Sequence, residues 1–213
     1  MTNLADWTAV DLTRAFATRK LSPVESLEAV IGRVEASEPA LRALYLYDPE
    51  AARARAKDSE ARWARGAPAG PLDGVPVTIK ENIATRGDPA PIGTAASDLA
   101  PAPADAPPAA RLKEGGAVVF AKTTMPDFGM LSSGLSSFHP LTRNPWDTTK
   151  NPGGSSSGAG AAAAAGYGPI HLGTDIGGSG GRPAGGGGGA GAHPPAGSPP
   201  PRPPPLGRPA AAP

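Results

Sequence analysis

Between Asp6 and Lys20, with Leu4 just ahead, Trp7, Val10, Leu12 and Phe16 recur near helical spacing, the pattern of a helix with one buried stripe. Ser22-Pro23-Val24-Glu25 then reads as a capping box with proline at the first helical position. Val24, Leu27, Val30, Ile31 and Val34 continue along one side of that second helix to an end near Glu38-Pro39. Leu41 to Tyr47 (LRALYLY) alternates as a short strand does. Asp48-Pro49-Glu50 opens a third helix, stopped by Gly66, with Trp63 as its packing anchor. A loop rich in proline and glycine follows to Gly74, and the β-branched run Val75 to Ile79 makes a strand that ends on Lys80. Residues 81–108 read mostly as loop. Asp105 is placed to cap a helix through Lys113 that Gly115-Gly116 stops, and Ala117 to Lys122 (AVVFAK) reads as a buried strand. Helix followed by strand is the repeating unit of an α/β sheet. Thr123 to Arg143, rich in Ser, Gly and Met, is a long loop suited to lining a pocket, or simply a covering loop. Ala159 to Gly168, almost all alanine and glycine, fits a buried helix against which other backbones pack closely.

Composition narrows the classes. The chain has 213 residues, enough for a domain with a sizeable core, and a net charge of +1 that offers no electrostatic case for nucleic acid or membrane as a partner. With no cysteine there is no disulfide or thiolate chemistry, and the three histidines, His139, His171 and His193, show no metal-ligand spacing, so neither a metal nor a cofactor is expected. The start MTNLADWTAV has no secretory character and nowhere do 18 large apolar residues run together; a cytoplasmic location is the expectation. Gly158 to Ala163 satisfies G-x-G-x-x-A, but no β-branched strand precedes it, and GxxxxGK[ST] is absent.

The chemistry concentrates between Asn151 and Ser179, NPGGSSSGAGAAAAAGYGPIHLGTDIGGS. Two serine turns, each announced by Gly-Gly, lie 24 positions apart. Glycine before a serine lets the backbone adopt conformations that aim the hydroxyl and leave N–H groups free. A nucleophilic serine also needs a base, and Lys80 at the end of GVPVTIKEN supplies a candidate.

These three segments, GVPVTIKEN, NPGGSSSG and GTDIGGS, in this order and spacing, resemble the amidase signature family of C–N hydrolases. ADAPPAARLKEGGAVVFAKTTMPDFGM and SSFHPLTRNPWD are also similar to that family, and the resemblance covers roughly residues 5 to 179. It implies an α/β fold, a mixed β-sheet flanked by helices, incomplete at the C-terminus. Residues 1–179 would be the N-terminal part of such a domain, with 1–66 mainly helical and 67–179 the catalytic core segment. From Gly180 to Pro213, 21 of 34 residues are glycine or proline and only Leu206 is a large aliphatic, a low-complexity tail that is expected to be disordered. Several of its glycines and prolines, among them Pro183, Gly191 and Pro204, fall where the family tends to have them.

The resemblance also implies roles. Ser179 would be the nucleophile, Ser155, after a cis peptide, the relay, and Lys80 the base, which must be neutral and so needs a pKa well below its usual value of about 10.4. The backbone N–H groups of Ile176, Gly177, Gly178 and Ser179 would form the oxyanion hole. Ser156 would support Lys80, Asp175 would accept from loop N–H groups, and Ser157 stands where glycine or alanine is commoner. The implied reaction is hydrolysis of a small-molecule carboxylic amide through an acyl-enzyme. The alternatives are the glutamine-hydrolysing component of a tRNA-dependent amidotransferase, and an inactive truncated fragment.

Overall fold

The computed structural model of the chain describes residues 3–175 and 178–181. The first expected helix is interrupted: Leu4–Asp6 is a single 3-10 turn, and helix α1 spans only Ala9–Ala17. Thr8 is the reason. Its backbone is extended and its Oγ1 accepts the Asp11 N–H at 3.1 Å, so it caps the helix rather than lying within it. Leu12 and Phe16 are buried as their spacing required, whereas Val10, counted in the same stripe, is 61% exposed.

Helix α2, Pro23–Leu41, carries the expected capping box of Ser22 and Glu25 and buries Leu27, Val30, Ile31 and Val34. It continues past Glu38-Pro39, where an end was expected. Proline forfeits one hydrogen bond, but fully buried Leu41 draws the last turn into the core. Arg42, at φ 53°, closes the helix with its N–H on the Glu38 carbonyl at 2.9 Å. The strand expected over Leu41 to Tyr47 therefore shrinks to β1, Leu44–Tyr45, and Leu46 leaves extended geometry at φ 49°.

Asp48 caps helix α3, Pro49–Ala64, through the Ala51 N–H. Its Trp63 lies tilted against Phe16 at 6.2 Å between ring centroids and donates Nε1–H to the Asp73 carbonyl. Arg62, one residue earlier, grips the buried Asp73 carboxylate with two donors at 2.9 and 2.6 Å. Burial alone would raise that carboxyl's pKa, but the guanidinium and the Ala69 N–H outweigh it and hold it below its usual range. This clamp fixes the loop that feeds the central strand.

That strand is β2, Pro76–Lys80, buried at every position. A crossover through helix α4, Pro107–Glu114, leads to β3, Val118–Thr123, parallel to β2. Asp105 does not cap α4 as expected: Ala106 occupies the cap position. The Asp105 carboxylate is instead taken up by the Arg86 N–H at 2.8 Å and the Lys113 ammonium at 2.6 Å. Helix α5, Ser157–Ala165, confirms the small-residue stretch as buried helix, ended by Gly166 at φ 74°. Strand β4, Ile170–Leu172, was not anticipated from the sequence, since three residues are too few to show alternation. It pairs parallel with β2, giving a mixed four-stranded sheet in the order β1-β3-β2-β4, with β1 antiparallel to β3. His171 ties it there: Nε2–H donates to the Gly168 carbonyl, so Nδ1 accepts from Thr78 on β2 at 2.8 Å, and burial pushes the imidazole down to about 4, keeping it neutral.

One apolar cluster joins α2, α3 and α5 to Val118 and Phe120, and a second gathers Val75, Val77, Ile79 and Ala109 under α4. Among the described residues no helix is long and apolar enough to cross a membrane. Nor does any cluster of His, Cys, Asp and Glu among them have the make-up of a metal site.

The close approach of α5 is testable. A Cβ on Gly158 would lie 2.3 Å from the Ala43 carbonyl oxygen and 2.4 Å from the Thr124 nitrogen, whereas one on Gly32, in exposed α2 surface, meets nothing within 4 Å. In urea denaturation, Gly158→Ala should destabilise by about 1–3 kcal/mol or more. Gly32→Ala should stabilise by about 0.5–1 kcal/mol.

Candidate active site

The end of β2 delivers Lys80 into the interior, where its side chain is fully buried. Its ammonium has three donors and meets three hydroxyls: Ser155 Oγ at 2.9 Å, Ser156 Oγ at 3.1 Å and Thr174 Oγ1 at 2.8 Å. All three acceptors are neutral. Burial therefore dominates and lowers the Lys80 pKa to about 8, the charges of Glu81 and Asp175 opposing it only in part.

The hydroxyls are presented by the turn that enters α5. The Gly154–Ser155 peptide is cis, as the resemblance implied. Ser155 Oγ lies 2.5 Å from Ser179 Oγ, and the Ser155 N–H also donates to Ser179 Oγ at 3.1 Å. Lys80, Ser155 and Ser179 thus form one continuous hydrogen-bonded line. Ser156 stands beside it: its Oγ–H donates to the Thr174 carbonyl at 3.0 Å and accepts the Thr174 N–H at 3.3 Å. Ser157 turns away, fully buried, and donates to the Thr124 carbonyl at the start of α5.

Asp175 takes the structural place expected for it. One carboxylate oxygen accepts the Gly178 N–H at 2.6 Å, the other the N–H groups of Gly180 at 2.6 Å and Gly181 at 3.2 Å. This corrects one expectation: the Gly178 N–H, assigned to an oxyanion hole, is committed to Asp175. Ile176 and Gly177 lie outside the described residues, as does the tail from Arg182 onward.

Ser155 and Ser179 open on a cavity of about 360 Å³, within the usual range for small ligands. The long loop after β3 does line it, with Met125, Phe128, Met130 and Leu131, and Asn82 and Ile92 complete its wall; none of the described lining residues is charged. Ile92 and Phe128 both hold positive φ, 51° and 50°, and the Phe128 N–H donates to the Ile92 carbonyl at 2.8 Å. Bulky side chains seldom adopt that region, and such outliers gather at ligand-binding sites.

Three participants go beyond the residues given roles from the sequence. Asn82 and Thr174 lie inside the segments GVPVTIKEN and GTDIGGS, but no spacing rule assigns a part to a hydroxyl two residues past a strand. The third is a buried contact between Glu81 Oε2 and His139 Nε2 at 2.7 Å, joining residues 58 positions apart.

Known proteins resemble this chain in sequence and in fold. The chain is 41% identical over 184 residues to the A-type component of the glutamyl-tRNA(Gln) amidotransferase of Chloroflexus aurantiacus, an alignment covering 86% of this chain and 38% of that protein. It is 42% identical over 173 residues to the indoleacetamide hydrolase of Bradyrhizobium diazoefficiens, covering 81% of this chain and 33% of the other. Among solved structures it superposes on the peptide amidase of Stenotrophomonas maltophilia with a TM-score of 0.76 at 31% identity, over 83% of this chain and 38% of that one. The chain thus spans less than two-fifths of the length of these relatives. The profile described as Amidase matches residues 25–204, so the resemblance extends beyond Ser179, and on that match, most of its length, the chain belongs to the Amidase family, the amidase signature enzymes.

Proposed function

We propose that this chain carries the catalytic apparatus of an amide hydrolase, with Ser179 as nucleophile, Ser155 as proton relay and Lys80 as base. The observation that carries the reading is the line Lys80 Nζ to Ser155 Oγ to Ser179 Oγ, with links of 2.9 and 2.5 Å. In the reactive form Lys80 is neutral, and the first contact reverses so that Ser155 donates to the amine. As Ser179 Oγ attacks the amide carbonyl carbon, its proton passes to Ser155 while the Ser155 proton passes to Lys80. The C–N bond then breaks with return of a proton through Ser155 to the leaving nitrogen, leaving an acyl group on Ser179. Water, activated by the same relay, releases the carboxylic acid. Developing negative charge on the carbonyl oxygen calls for backbone donors, a role that falls to the N–H groups of Ser179, Ile176 and Gly177 once Gly178 is assigned to Asp175.

The cavity favours an amide with an apolar portion. Its described walls hold Ile92, Met125, Phe128, Met130 and Leu131 and no charged group to meet the ammonium and carboxylate of free glutamine. The 41% identity to an amidotransferase component supports the second reading, in which the same relay frees ammonia from glutamine.

Labelling the purified chain with a serine-directed fluorophosphonate, read by intact mass, tests the assignment. One adduct is expected, absent from Ser179→Ala and formed about 10²–10⁴-fold more slowly by Lys80→Ala. An adduct that persists in Ser179→Ala would sink the proposal. Because the Lys80 pKa is depressed to about 8, the protonated and inactive form prevails below that pH, so the labelling rate should climb through a midpoint near 8 and level off above it. A flat profile between pH 6 and 10 would remove Lys80 as the base. For substrate class, ammonia release should be faster from hexanamide than from glutamine. The opposite order would favour the second reading.

A further inference from the structure

A second cavity, of about 600 Å³, shares no residue with the catalytic one. It exists because β1 stops early. After Tyr45 the chain turns away at Leu46, φ 49°, and the outer edge of β3 is met by single contacts instead of a strand: the Asp48 N–H on the Phe120 carbonyl at 3.3 Å, and an Arg55 guanidinium N–H on the Val119 carbonyl at 3.0 Å. The register of β3 against β2 also slips between Val119 and Ala121, which makes Phe120 the extra residue of a bulge, and bulges re-aim side chains. Phe120 meets Tyr47 edge-on at 6.5 Å between ring centroids, and with Leu46 and Pro49 they form an apolar part of the wall.

The same wall holds Arg55, Arg86, Lys113 and Lys122, with Asp48 and Asp88. Lys113 is tied to Asp105 at 2.6 Å, so four positive residues stand against three carboxylates. Asp48 and Asp88 each accept from a neutral donor, the Ala51 N–H and the Thr85 hydroxyl. Among the described residues, no carboxylate pairs with Arg55, Arg86 or Lys122. Lys122 is the most telling of them. It is 2% exposed, and its three ammonium donors have two acceptors, the Ile83 carbonyl and Thr85 Oγ1, both at 2.7 Å. A buried ammonium without a counter-ion is costly, and a wall that pairs surplus positive charge with apolar surface suits an anion with an apolar body.

We propose that this cavity binds a small organic monocarboxylate, its carboxylate met by Lys122 and the guanidinium groups of Arg55 and Arg86, its apolar body laid against Phe120, Tyr47 and Leu46. A guanidinium matches a carboxylate with two parallel donors, and one negative charge balances the surplus; a phosphate monoester, with close to twice that charge, exceeds it. The site stands apart from the relay, and the proposal does not rest on Lys80 being the base.

Calorimetric titration of the full chain with hydrocinnamate tests it. One saturable site is expected, with hydrocinnamyl alcohol, the same body without the charge, weaker by about 10-fold or more. Arg55→Gln and Arg86→Gln change exposed side chains and should each weaken hydrocinnamate several-fold; Lys122→Met should weaken it by about 10-fold or more, and Ser179→Ala should leave it unchanged. No binding, equal affinity for acid and alcohol, or an affinity untouched by both arginine variants would overturn the proposal. Binding that responds to Ser179→Ala and not to the cavity variants would also overturn it, by placing the acid in the catalytic cavity. A readout on the unaltered chain guards against a Lys122→Met that does not fold. Burial holds the Lys122 ammonium at about 8, with Lys113 acting in the same sense and Asp88, Glu81 and Asp105 opposing. In ¹³C-lysine-labelled protein, the Lys122 Cε midpoint, assigned by its loss in Lys122→Arg, should rise when hydrocinnamate saturates the site, because a negative charge beside the ammonium favours its protonated form. A midpoint that does not move would refute the contact.

Discussion

Keeping one lysine amine out of water, with an acceptor for each of its donors, is the constraint on which the site depends. A buried ammonium is tolerable only if its hydrogen bonds are complete. Completing them takes three chain segments that are distant in sequence: Ser155 and Ser156 from the turn into α5, Thr174 from the loop after β4, and Lys80 itself from β2. The sheet order makes this practical. β2 lies between β3 and β4, so its end is flanked on both sides by backbone that other segments can follow. α5 reaches the same point because its first turns are small, with Gly158 against the Ala43 carbonyl and Thr124. A larger residue there would push Ser155 and Ser156 away from the amine.

The choice of partners is as telling as their number. A carboxylate bonded to Lys80 would hold its proton, whereas hydroxyls leave burial to prevail and bring the pKa to about 8. Two acidic residues stand close enough to matter, and both are engaged elsewhere. Asp175 spends its oxygens on the N–H groups of Gly178, Gly180 and Gly181, which shapes the loop carrying Ser179. Glu81 faces His139. Negative charge near the amine is thus used to build the surrounding loops, and it is withheld from hydrogen bonding to the amine itself.

Much of this was legible in the order of residues alone. The capping box at Ser22, the Asp48 cap, the β-branched run into Lys80 and the small-residue helix are local signals, each carried by a few adjacent residues, and each appears where expected. What failed was decided by contacts further off. The end of α2 moved because Leu41 is buried, a tertiary preference that overrode the proline. α4 lost its Asp105 cap to Arg86 and Lys113, and β4 exists because β2 offers it an edge. At the site, glycine-serine turns and a strand-end lysine mark themselves; Thr174 stands inside the GTDIGGS segment, but its part in completing the Lys80 hydrogen bonds shows only in three dimensions. The Glu81–His139 contact joins two residues whose separation carries no periodicity at all.

The same distinction separates chemistry from selectivity in this protein. The hydrogen-bonded line from Lys80 to Ser179 is assembled from residues 80, 155 and 179, and its members are buried or half-buried, with the Ser155 N–H also donating to Ser179 Oγ. The cavity wall is different. Phe128 is 62% and Met130 81% exposed, and Ile92 and Phe128 sit in conformations that bulky side chains avoid. A wall so open binds weakly by itself, because apolar side chains discriminate only when water is driven from both surfaces. The relatives aligned with this chain are more than twice as long, and the amides in their names vary; in this chain the hydrogen-bonded line is local, while the surface around the cavity can change without disturbing it.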